Sequence, residues 1–183
     1  MLKRYKEYIS ETSDNSVADM LQQFVTLTSG YQKEYYKKRL DCLNRVPMHS
    51  VHELFDKETA DLLKRLGRFK KKECYANALH ASEIIQSMGE VYILGEKVEN
   101  PEVKYVEGYV LVFGIPIDHA FNRIGDHWFD VTMDFALGDK EVSPHYSVGE
   151  WNYAEALRMM CEEGFYGGLF DKVFRDTYKQ NVS

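Results

Sequence analysis

Proline and cysteine are both scarce here, with four prolines and three cysteines in 183 residues. Cys42, Cys74 and Cys161 are odd in number and far apart, so they make neither a disulfide framework nor a CxxC metal pair. Reduced thiols are expected. No segment approaches the roughly 18 apolar residues of a membrane span, and the opening MLKRYKEYIS lacks the apolar run of a secretory leader. Internal repeats and low-complexity tracts are missing too. An excess of positive charge is also lacking: the formal net charge is −6, which disfavours general nucleic-acid binding. The expectation is a cytoplasmic protein with no membrane or nucleic-acid partner, no cofactor and no metal.

What is present suits a folded chain. A hydrophobic fraction of 44% and an aromatic fraction of 14% can fill a core, and the length fits one domain, 1–183. One basic cluster stands out, KRLGRFKKK at 64–72. It reads either as a solvated helix end and loop or as a rim facing a phosphorylated or acidic group.

Texture divides the chain into a helical preface, 1–66, and a core, 67–183. Within the preface, Val17, Met20, Leu21, Phe24 and Val25 recur at helical spacing after Ser16 or Asn15 as N-cap. Further helices are expected over 31–45 and 56–66, with Pro47 breaking the pattern between them. After Gly67 a helix is predicted over 74–89, stopped by Gly89. Strand-like runs follow at 90–94, 103–114, 118–124 and 127–133, each rich in β-branched or aromatic residues. The link GEKVENPE reads as a loop and the stretch near Pro144 as irregular. Helices are expected again over 152–164 and 169–180. The fold class implied is α+β.

The most informative stretch is IDHAFNRIGDHWFDVT, 117–132. If Gly125-Asp126 is a two-residue hairpin loop, Ile124 faces His127 and Phe121 faces Asp130. Side chains alternate along strands, so His119, Phe121, Asp130 and Thr132 would share a face. His119 and Asp130 become diagonal neighbours, with Cβ atoms roughly 5.5–8 Å apart, close enough for a hydrogen bond. An aspartate on one imidazole nitrogen fixes the tautomer and frees the other to take a proton. An ordinary exposed sheet face accounts for the same residues. His127 competes as a base but faces away from Asp130 in this register.

Cys74 would supply a nucleophile. It opens the CYANALHASEII helix, and helix N-termini and nearby cations favour a thiolate. Ala78, Ala81 and Ile85 continue its stripe, which would let the helix lie close to a sheet. It is equally readable as the first core position of an amphipathic helix. A zinc site from Cys74, His119 and Asp130 is a further reading, though no close ligand pair supports it. Elsewhere, Glu107 and Tyr109 line either a cleft or an exposed sheet face. Gly108 between them marks a close backbone approach or a bulge. Asn77 is either a surface residue or a brace for the neighbouring loop, and Trp128 has core packing as its default.

The order Cys74, His119, Asp130, with HAFN…HWFDVT, resembles the transglutaminase-like branch of the papain-like cysteine-enzyme superfamily over residues 73–133. Phe121 stands where that family often has tryptophan, and Val131 where it often has proline. The resemblance implies a nucleophile helix packed on an antiparallel sheet, with the N-terminal helical extension outside the match. It implies a thiol-dependent acyl hydrolase or transferase with a Cys74–His119–Asp130 triad. The substrate would be a protein, a peptide or a small amide or thioester. The alternative is a non-catalytic interaction module on the same fold, meeting a protein partner through the helical preface.

Overall fold

The computed structural model describes residues 16–138 and 143–182. The proposed cap Asn15 lies outside the described residues, and the first described helix is Ser16–Leu27. Strands β1 (Asn44–Val46), β2 (Met48–His49), β5 (Val103–Val112), β6 (Ile115–Ile124), β7 (His127–Phe129) and β8 (His145–Asn152) form one sheet in the order β1-β8-β5-β6-β7-β2. All neighbours run antiparallel except β2 and β7. A separate hairpin pairs β3 (Glu90–Ile93) with β4 (Glu96–Glu99).

The hairpin around Gly125-Asp126 has the expected register, with Ile124 opposite His127 and Asn122 opposite Phe129. Four other expectations need correction. The strand foreseen over 127–133 stops at Phe129, and a π-helical turn covers Thr132–Leu137. The link after Gly95 contains β4, and the stretch after Pro144 is β8, a strand paired on both sides. The helical preface also contributes to the sheet, since β1 and β2 form its two edges. These strands are two, three or four residues long, or follow a proline. Their stability comes from distant partners rather than from local pattern.

The Cys74–Ser87 helix lies on one face of the sheet. Ala78 and Ala81 are buried, and their small side chains permit close approach. Asn122 of β6 fixes the contact, its Nδ2 donating to Ala78 O at 2.8 Å and Ser82 Oγ at 2.9 Å. Ile84 and Ile85 then reach Phe129, Val103 and Ile124 in the largest apolar cluster. Asn77 is buried and braces the loop before the helix: its side chain bonds both Lys70 N and Lys70 O, and also Thr132 Oγ1. The six basic residues of 64–72 are all exposed.

Both faces of β5 are buried, so Glu107 is not an exposed sheet residue. Its carboxylate accepts from Tyr105 OH at 2.8 Å and from Leu169 N and Phe170 N, each at 3.1 Å. The amides open the Leu169–Val182 helix, whose first N–H groups lack intrahelical partners. A carboxylate there also suits the positive end of the helix dipole. No helix of the described residues is long and apolar enough to cross a membrane.

Burial pushes the Glu107 carboxyl above its usual range, against the bonds from Phe170, Leu169 and Tyr105. A raised carboxyl contributes a stability that declines as pH rises from about 4.5 into its folded range. Glu107→Ala strands two helix amides and a phenol, and is expected to cost about 3 kcal/mol in urea denaturation. Amide exchange should accelerate first at Leu169 and Phe170. Glu107→Gln should cost less and flatten the acid-side slope. Unchanged protection at both amides in the alanine variant would overturn this role.

Candidate functional site

Asp130 follows β7 directly and turns the chain. Its Oδ1 accepts from Thr132 N at 2.8 Å and Met133 N at 3.1 Å, so the carboxylate ends the strand by capping the turn that follows. Its Oδ2 meets two imidazoles, His119 Nε2 at 2.6 Å and His145 Nε2 at 3.1 Å. His119 comes from β6 and His145 opens β8, which reaches this position because β5 lies between them. All three residues are buried, with 6%, 3% and 2% of the surface of His119, Asp130 and His145 exposed. One ligand atom from each lies within 4.8 Å of the others.

Gly108 aligns the strands. It faces His119 on β6 and Ser147 on β8, at a register shift after Glu107. A Cβ there would lie 1.8 Å from Tyr146 O, so any side chain would push β8, and His145 with it, away from Asp130. Close approach and bulge therefore coincide at this glycine.

The hydrogen bonds fix the ring states. His145 Nδ1 is 2.7 Å from Ser143 O, and a carbonyl can only accept, so Nδ1 carries a proton. The other nitrogen then faces a carboxylate oxygen. Two lone pairs do not meet at 3.1 Å without a cation between them, whether a second proton or a metal ion. For His119, burial alone would lower the pKa. The charge and hydrogen bond of Asp130 overcome that, and smaller contributions from Cys74 add to them, raising it to about 10. Asp130 is held well below the usual carboxylate range; its burial works the other way, and His119 and His145 outweigh it.

His119 and Asp130 are thus brought together as expected, but their partner is a second histidine. Cys74 opens its helix, half-buried and free, and borders His119. It is not a member of the gathered cluster. The cluster sits on β6, β8 and the turn after β7, not on a helix carrying a nucleophile. The resemblance to papain-like and transglutaminase-like enzymes is corrected accordingly, together with the nucleophile-helix core and the thiol-dependent acyl hydrolase or transferase assignment. The physical reason is that Asp130 Oδ2 is shared between the imidazoles of His119 and His145, so the histidine and aspartate are gathered with a second histidine and not with the cysteine. The sequence reading does not single out His145; the alternation of HYSV after Pro144 is the only local signal it offers. Comparisons with protein families, curated proteins and solved structures return no match.

The ion pair sets a pH dependence in the metal-free protein. A raised histidine contributes stability that is complete below about 6.5 and lost as pH rises to about 10. The depressed carboxyl of Asp130 contributes above its ordinary value and loses that as pH falls. Ring-nitrogen NMR should find His119 doubly protonated at pH 7.5. A ring titrating near 6.5 would refute the pairing.

Proposed function

We propose that the protein binds one divalent transition-metal ion, zinc in type, through His119, Asp130 and His145. The observation carrying this reading is His145: its Nδ1–H is spent on a backbone carbonyl while Nε2 points at a carboxylate. A metal-binding histidine commonly donates its other ring nitrogen in this way. Imidazole and carboxylate donors suit zinc, with ligand bonds of about 2.0–2.2 Å. Tetrahedral coordination at that length separates neighbouring ligand atoms by roughly 3.3 Å. The His145–Asp130 spacing of 3.1 Å is close to this, and His119, at 2.6 Å from Oδ2, must swing outward by a fraction of an ångström.

The ligands rest on strands and a capped turn rather than on a free loop. Asp130 is oriented by Thr132 N and Met133 N, so its Oδ2 is held toward the imidazoles. Burial removes competing water and strengthens each electrostatic contact. An ion held by His119, Asp130 and His145 would keep a further coordination position and would supply Lewis-acid chemistry there. Cys74 beside His119 serves as a neighbour that positions the ring. The reading includes a cytoplasmic setting, supported by three free cysteines. It also includes a protein partner for the Ser16–Leu27 and Gly30–Cys42 helices, supported by the exposure of Leu27 and Tyr31.

Protein purified without chelator, or loaded with zinc and desalted, should retain about one metal ion by elemental analysis. Cobalt substitution should give visible bands of a four-coordinate site. At free metal 100 times the Kd, stability should rise by about 2.7 kcal/mol. His145→Ala and Asp130→Asn should abolish retention, whereas Cys74→Ser should preserve it. A wild-type protein that retains no metal and gains no stability from zinc would refute the proposal.

A further inference from the structure

A second pair of histidines lies outside this cluster. His49 is the last residue of β2 and His127 the first of β7. The two strands run parallel, with Met48 opposite Trp128 and His49 opposite Phe129. His127 therefore sits one residue behind Trp128, and its ring turns toward that of His49. The nitrogen atoms His127 Nδ1 and His49 Nε2 are 3.4 Å apart, with ring centroids 5.2 Å apart and planes at 70°. Both residues are half-buried, so the pair is reachable from solvent.

We infer that His49 and His127 form a second, labile metal site, taking a zinc or copper ion between Nε2 of one ring and Nδ1 of the other. The spacing carries the argument. Two imidazole nitrogens bound to one tetrahedral ion at about 2.0–2.1 Å stand roughly 3.3–3.4 Å apart, and the two rings are already separated by 3.4 Å. As an N–H···N hydrogen bond that distance is long, whereas it equals the spacing of two imidazole nitrogens on one tetrahedral ion. Imidazole is a favoured donor for zinc and copper, and water can complete the coordination at a half-exposed site.

The consequence is local. Strand β2 is two residues long, and its parallel pairing with β7 is the outer edge of the sheet. A bound ion would join the two strands through side chains as well as through backbone. It would also stiffen Phe129, the residue before Asp130. This second site is independent of the buried cluster, since it shares no ligand with it.

The test is a zinc titration of the full chain, following the ring resonances of all six histidines by NMR. His52 and His80 serve as internal controls. His49 and His127 should shift together and saturate together, with His52 and His80 unmoved. His49→Ala and His127→Gln should each weaken this step by at least about tenfold, a loss no smaller than that for an outer-shell partner. The His119 and His145 signals should respond in both variants as in the wild type. Far-ultraviolet circular dichroism of the metal-free variants checks that the fold is kept, and the wild-type titration stands without them. Rings of His49 and His127 that stay unmoved under millimolar zinc would overturn the inference. So would a response shared equally with His52 and His80. Loss of the His119 and His145 response alone would count against the buried centre and leave this site standing.

Discussion

The carboxylate of Asp130 joins four partners from three segments of the chain. One oxygen caps the turn after β7, and the other is shared by imidazoles from β6 and β8. A buried carboxylate without such partners would be prohibitively costly. Three segments far apart in sequence are therefore held to one point, and each must keep its place for the other two to be satisfied. The strand ends where it does because Asp130 turns its side chain back on the next two amides.

A second buried carboxylate works on the other face of the same sheet. Glu107 of β5 collects the first amides of the final helix, as Asp130 collects those of the π-helical turn. Gly108 lies immediately after Glu107 and faces His119. The bulge thus lies between two polar centres, the helix cap made by Glu107 of β5 and the histidine cluster carried by the neighbouring strands β6 and β8. The central strand has no exposed face to spare, which explains why its polar residues are all engaged.

Legibility in the sequence followed the range of the forces involved. Gly125-Asp126 specifies its hairpin locally, and the resulting register brings His119 near Asp130. The alanines of the Cys74–Ser87 helix likewise announced a close-packed face. By contrast, β1, β2 and β4 are too short for periodicity to reveal, and each exists through its partner strand. Glu107 looked like an outward-facing sheet residue because the helix covering it lies some sixty positions away. A cysteine opening a helix, as Cys74 does, is a strong local pattern, whereas His145 carries no local pattern of comparable strength.

The sequence by itself determined the longer helices, the turn at 125–126, the pairing of His119 with Asp130, and the α+β composition. These rest on interactions within a dozen residues or on side-chain periodicity. The tertiary structure alone decided that β8 enters the sheet beside β5. It alone delivered His145 to the oxygen His119 already uses and brought His49 to His127 across a parallel edge. Such choices depend on which distant strand can satisfy a backbone edge and a buried charge at once, and no local window contains both partners.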